Sequence, residues 1–172
     1  YSRTKDLQIV EIPYKGRQYA MMILLPTKMQ GLEDLVSGID ASLIETHDKK
    51  KSREDILLYL PKFNMDSDYE LTPPLSALGM GTAFSDAADF SGMTGKKDLK
   101  ISSVIHKAFI EVDEFKTEAA AATAVVMKLT SAMPSPVAPI TFRADHPFIF
   151  MIRHIESGAI VFMGQITNPG VK

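Results

Sequence analysis

Apolar and polar residues alternate from Leu7 to Tyr14 and again, more densely, from Gln18 to Leu25, with Lys15-Gly16-Arg17 between the two runs. The pattern predicts a β-hairpin closed by a short turn, its second strand ended by Pro26. Leu32 to Ile39 and Ala41 to His47 change to helical spacing, and Asp40 stands before the second run as an N-cap. Asp48-Lys-Lys-Lys-Ser-Arg-Glu-Asp55 follows as a mixed charge run, expected to be a solvated turn. Ile56 to Met65 reads as one strand carrying Pro61, which places it at an edge or a bulge.

Leu71-Thr-Pro-Pro-Leu-Ser-Ala-Leu-Gly79 predicts one short helix with prolines in its first turn and Gly79 at its end. A loop is expected over Ser85 to Lys97 and a long strand over Leu99 to Glu114. Pro134, Pro136 and Pro139 cannot lie inside a helix, so their segment is expected to be extended and exposed. The tail, Pro147 to His154 and Ala159 to Gly164, predicts a second hairpin, apolar on both faces and therefore in the middle of the core. Strands outnumber helices and most connections are short, so the fold class is α+β with largely antiparallel sheets.

The 172 residues suffice for one domain with a real core, and 45% hydrophobic with 23% charged residues is ordinary globular composition. A net charge of -2 gathers neither nucleic acid nor anionic lipid, and no run approaches the roughly 20 apolar residues of a membrane span. The chain has no cysteine, which excludes disulfides and thiol chemistry. It opens on Tyr1-Ser-Arg-Thr-Lys-Asp6 with neither an initiator Met nor a signal peptide, which reads as a start inside a longer protein.

Candidate chemistry is thin. His47, His106, His146 and His154 are scattered without metal-site spacing, so no metal is expected. Gly79-Met-Gly81 and Gly92-Met-Thr-Gly95-Lys96-Lys97 lack the spacing of nucleotide loops and read as turns. His106 lies inside an apolar strand, where a structural imidazole is the expectation, and Glu111, Asp113 and Glu114 read as a solvated strand end. Neither a catalytic constellation nor a cofactor site emerges, and no enzyme is expected.

Residues 117 to 129, TEAAAATAVVMKL, are ambiguous. Four alanines favour a helix that Thr117 could cap. Every second residue, however, gives Thr117, Ala119, Ala121, Thr123, Val125, Met127 and Leu129, while Glu118 and Lys128 fall in the other set. A strand would bury the first set and keep both charges outside, and its small first half could enter a packed core at little steric cost.

Glu114-Phe-Lys-Thr117-Glu-Ala-Ala-Ala-Ala-Thr-Ala124 resembles the hinge of a serpin reactive-centre loop. Further segments with that resemblance are Gln18-Tyr-Ala-Met-Met-Ile-Leu-Leu-Pro26, Leu60-Pro-Lys-Phe63, Phe84-Ser-Asp-Ala-Ala-Asp-Phe-Ser-Gly92 and Val104-Ile-His-Lys-Ala108. Asp145-His-Pro-Phe-Ile-Phe150 and Phe162-Met-Gly-Gln-Ile-Thr-Asn-Pro169 complete the family order. The resemblance runs from about Leu7 to the end and makes residues 1–172 the C-terminal portion of a single serpin domain, with an exposed reactive-centre loop at about 114–139.

The resemblance implies a suicide inhibitor of serine proteases. The protease cleaves the loop, is held as an acyl-enzyme, and the freed loop inserts as a new strand in the central sheet. Thr117 to Thr130 would span roughly 45 Å as a strand. The implied hinge comprises Glu114, Phe115, Lys116, Thr117, Glu118, Ala119, Ala120, Ala121, Ala122 and Thr123. The family's offset from hinge to scissile bond places that bond at Thr130-Ser131, with Leu129 and Lys128 as alternatives. Thr130 suits an elastase-like enzyme, Leu129 a chymotrypsin-like one and Lys128 a trypsin-like one.

By the same resemblance Glu114 would pair with Lys62, and His106 would match a polar cluster at the sheet centre, both in conformational control. Lys116 stands where inhibitory serpins usually have Gly, and Phe115 where they have an acidic or polar residue. The chain matches only about half a serpin, and the second strand flanking the inserted loop would lie in the other half. Either the rest resides on another chain or was lost, or this is a miniature serpin whose loop adds at an open edge or pairs with a second copy. A second chain or copy completing the central sheet is one expectation, and the family resemblance also implies a secreted protein. The alternative is a non-inhibitory serpin-fold protein that binds a partner and is cut only as a substrate.

Overall fold

The computed structural model describes residues 1–113 and 138–170. These form two compact units: Tyr1–Phe63 with the chain from Val112 onward, and Asn64–Glu111.

The larger unit is built on a five-stranded antiparallel sheet. Its strands are β1 (Ser2–Arg3), β2 (Leu7–Pro13), β3 (Tyr19–Pro26), β8 (Phe148–His154) and β9 (Ile160–Ile166), in the order β1-β2-β3-β8-β9. The first hairpin forms as its alternation predicts, with Ile9 opposite Leu24 and Glu11 opposite Met22. Its turn places Gly16 at φ 85° and Arg17 at φ 54°, left-handed backbone that glycine adopts without a Cβ clash.

β3 takes the centre because Ala20 to Leu25 are apolar without a break, and all six are buried. Helices α1 (Leu32–Gly38) and α2 (Ala41–Lys50) cover one face of this sheet. Leu32, Leu35, Ile39, Leu43 and Ile44 pack there on Leu7, Ile9, Met22, Leu24, Ile149 and Met151. Asp40 caps α2 as its position predicts, its carboxylate accepting from Leu43 N at 2.9 Å. On the opposite face Phe63 meets Phe150 at 5.2 Å and Phe148 at 6.2 Å between ring centroids.

The second hairpin forms, but only β8 is central. Among the described residues β9 is the edge strand, with Ile160, Val161 and Met163 exposed, so the expectation that both strands lie mid-core is corrected. Apolar runs report a strand's composition and not its place in the sheet order. Ile56 to Met65 likewise divides: β4 (Ile56–Tyr59) pairs with β7 (Ile140–Arg143), and β5 (Phe63–Glu70) joins another sheet. The break falls around Pro61, which has no N–H for a ladder. β4 and β7 run parallel, the exception to the antiparallel expectation.

The smaller unit holds most of a two-stranded sheet, β5 with β6 (Ile105–Val112). The long strand expected over Leu99 to Glu114 is therefore shorter, because Ile101 N donates instead to Ala83 O at 3.0 Å. Helical turns follow β5 as α3 (Thr72–Leu75) and a π turn (Ser76–Met80), which Gly79 breaks at φ 104° where the sequence predicts a helix end, and a 3-10 turn (Gly81–Phe84) follows. Within the expected loop, Ser91–Thr94 forms one further turn, α4. Among the described residues no helix is long and apolar enough to cross a membrane.

Candidate functional site

In sequence, the segment singled out by its alanines lies between β6 and β7. On the entry side, β6 carries His106 exposed to solvent, not enclosed as an apolar strand suggested. Glu114 to Thr123, Lys128, Leu129, Thr130 and Ser131 lie outside the described residues, and so does the implied Glu114–Lys62 pair.

On the exit side the anchoring is dense. Ile140 N donates to Asp55 O at 2.8 Å and Ala144 N to Tyr59 O at 2.9 Å, at the two ends of the β4–β7 pairing. Phe142 is fully buried, while the Arg143 guanidinium lies 3.8 Å from the Tyr59 ring centroid in cation–π contact. His146 then ties the start of β8 to the end of β3: Nε2 lies 2.6 Å from Pro26 O and Nδ1 2.8 Å from Asp145 Oδ1. His146 in turn holds the Asp145 carboxyl below its ordinary range.

Beneath α2 a charge cluster joins residues far apart in sequence. Arg153 on β8 is buried and donates to both Asp48 oxygens, at 2.8 and 2.6 Å, and stands 2.9 Å from Glu11 Oε2. Lys51 reaches Glu11 at 3.2 Å and Asp48 at 2.9 Å. The buried His47 bonds Ser2 Oγ through Nδ1 at 2.7 Å and turns Nε2 toward Glu11 at 3.8 Å, an electrostatic contact longer than a hydrogen bond. The facing His47, with Arg153 and Lys51, holds the Glu11 carboxyl at about 2 against burial, which pushes it up. Asp48 is likewise held well below the carboxylate range, chiefly by Arg153.

Ligand atoms of Glu11, His47 and Asp48 lie within 4.8 Å of one another, a spacing a metal ion could use. Two protein cations already occupy that place, so the arrangement fits a structural lock between helix and sheet, and a third cation would be repelled. The charge run is thus no simple solvated turn, since Asp48 and Lys51 belong to this cluster. Sequence patterning does not single these residues out. Its signal is an arginine inside an otherwise apolar central strand, which calls for a carboxylate partner.

Comparison with known proteins defines the class. The model of the family Serpin (serine protease inhibitor) matches residues 1–169, and this chain belongs to that family. It is 41% identical to Iripin-4 of Ixodes ricinus over 94% of the chain and 40% of that protein. It is 39% identical to the leukocyte elastase inhibitor of Bos taurus over 96% of the chain and 45% of that protein. The structure of uncleaved ovalbumin is similar with a TM-score of 0.77 at 31% identity, over 95% of this chain and 40% of that one. The chain therefore spans less than half the length of these relatives.

Proposed function

We propose that this chain serves in serpin-type inhibition of serine proteases. The observation that carries the reading is the family match across residues 1–169, which includes the whole segment between β6 and β7, with a relative named as an elastase inhibitor. In this reading the protease serine oxygen attacks the Thr130 carbonyl, the Thr130-Ser131 bond breaks, and Ser131 leaves as the protonated amine. An ester links Thr130 to the protease. The freed segment then adds as a strand beside β6, and its burial supplies the work of trapping. Lys62 with Glu114, and His106 on β6, govern how readily that strand enters. The chain is an inhibitor and not itself an enzyme in this reading, and the proposal extends to a place outside the cell on the family resemblance alone.

A second reading is a serpin-fold binding protein cut only as a substrate. Lys116 and Phe115 in the hinge favour it. Incubation with elastase, chymotrypsin and trypsin separately, followed by denaturing electrophoresis and intact mass, separates the two. A covalent adduct with a new end at Thr130 is the expected result. Clean cleavage within residues 127–133 without adduct would overturn trapping and leave the second reading.

A further inference from the structure

The charge run after α2 divides by where its side chains go. Asp48 and Lys51 join the lock, whereas Lys49, Lys50, Ser52, Arg53, Glu54 and Asp55 are exposed and take no part in it. α2 ends at Lys50, and residues 51–55 belong to neither helix nor strand. Ser52 stands in the middle of this stretch. Its backbone is bridged twice to Tyr1, Ser52 N donating to Tyr1 O at 2.9 Å and Tyr1 N to Ser52 O at 2.8 Å. Its hydroxyl donates to Glu54 Oε1 at 2.6 Å, an exposed carboxylate.

Ser52 is therefore an accessible hydroxyl on irregular backbone, and both of its flanks carry charge. Lys49, Lys50 and Lys51 precede it, and Glu54 and Asp55 stand two and three residues after it. No other serine of the sequence has three cations directly before it or carboxylates at both of those later positions. Charge patterns of this kind are what serine kinases read, cations before the serine by an acidic groove and carboxylates after it by a basic one.

We propose that Ser52 is a phosphorylation site, and that its phosphate draws Lys51 out of the lock and loosens the end of α2. In the transfer, Ser52 Oγ attacks the terminal phosphorus of a nucleoside triphosphate. The Oγ–P bond forms, the bond to the departing nucleoside diphosphate breaks, and the hydroxyl proton passes to a base of the kinase.

Three effects set the direction of the change. The phosphate brings a charge of about -1.5 to -2 at pH 7 to a position two residues past the helix, where the last carbonyls of α2 already present partial negative charge. It replaces the hydroxyl bond to Glu54 with a repulsion between like charges. Lys51, one residue away, is shared between Glu11 at 3.2 Å and Asp48 at 2.9 Å, and the more highly charged phosphate competes with both carboxylates for it. Glu11 and Asp48 are then left to Arg153 and the facing His47, and the helix end loses one of its ties to the sheet.

The test starts with the unaltered chain, ATP and two kinases in separate arms. One arm uses the catalytic subunit of the cyclic-AMP-dependent kinase, which reads cations before the serine, and the other a casein kinase, which reads carboxylates after it. Phosphate mapped to Ser52 by mass spectrometry in at least one arm is the expected result, and the arm that works tells which flank is read. Urea unfolding of the phosphorylated chain at pH 7 is then expected to show an unfolding constant raised about tenfold over the unmodified chain.

Two variants put through the same reaction assign the effect. Ser52→Ala is expected to unfold as it does before treatment. Lys51→Gln is expected to show a smaller rise than the unaltered chain, because no shared lysine remains to be drawn away; an equal rise would mean that the exposed Lys50 and Arg53 take the phosphate instead. No phosphate at Ser52 in either arm, a phosphorylated chain that unfolds like the unmodified one, or an equal rise in either variant would overturn the proposal. None of these measurements involves a protease, so their outcome is independent of the trapping reading.

Discussion

Arg153 and Asp48 meet as a two-pronged pair, Nη1 donating to Oδ2 at 2.8 Å and Nη2 to Oδ1 at 2.6 Å, which fastens the last turns of α2 to β8. The planar guanidinium matches the carboxylate fork, and Glu11 engages the same Nη2 from β2. Three elements thus converge on one buried cation that no amphipathic packing by itself would bring together. Removing that cation leaves Glu11 and Asp48 with Lys51 as their shared counter-charge. Arg153→Ala is expected to lower unfolding free energy by about 3 kcal/mol. Arg153→Lys, which keeps the charge but loses the fork, is expected to cost clearly less. Urea denaturation of both variants checks the order, and equal losses would mean that the two-pronged geometry matters and the charge by itself does not.

Acid should weaken the same lock. Glu11 titrates at about 2 in the folded chain against an ordinary 4.5, so between these values the unfolded chain binds more protons. Protonation then favours unfolding, and the stabilisation is fully present above pH 4.5 and lost as pH falls toward 2. Glu11 accounts for about 3 kcal/mol of that loss, from the shift at 1.36 kcal/mol per unit. Asp48 acts in the same sense. Glu11→Gln is expected to flatten the pH dependence of urea unfolding over this window, and an unchanged slope would remove Glu11 from the lock.

The hairpins, both helices and the Asp40 cap were legible because each is announced by local periodicity or by a residue one turn away. The family was legible from the hinge and its flanking motifs in order. The charge cluster was not, since Glu11, Asp48 and Arg153 are joined only by sheet order, and β8 beside β3 is a contact across more than 120 positions. Strand order also decided that β9 lies at an edge, although Ile160 to Met163 look as apolar as Phe148 to Met151. The division of Ile56 to Met65 between two sheets had a local sign in Pro61, but a proline reports a missing donor without saying that the strand changes partners.

Gly164 lies opposite Phe150 in the β8–β9 ladder. A Cβ there would stand 2.6 Å from Phe150 Cζ, and that ring is buried and cannot swing aside. Gly164→Ala is expected to destabilise by about 2 kcal/mol through overpacking. Combining it with Phe150→Leu should recover part of that loss, so the double variant is less destabilised than the sum of the singles. Thermal or urea unfolding of the four proteins gives the coupling directly, and strict additivity would show that the sheet absorbs the methyl without touching the ring.

The alternation of Thr117, Ala119, Ala121 and Thr123 gives the trapping reading its sharpest consequence. If the cleaved segment enters a sheet, these side chains face the core and those of Ala120 and Ala122 face the other way. Ala121→Arg would carry an unpaired guanidinium into the core, at a cost of several kcal/mol. Insertion would slow, the ester would hydrolyse first, and the protease would go free. Ala122→Arg puts the same charge one residue away, on the opposite face, and should leave trapping largely intact. Densitometry of adduct against cleaved chain, with the protease that forms an adduct with the unaltered protein, is expected to show adduct lost for Ala121→Arg and kept for Ala122→Arg. Equal behaviour of the two would mean that the segment does not insert with this face inward, whatever else the protease does to it.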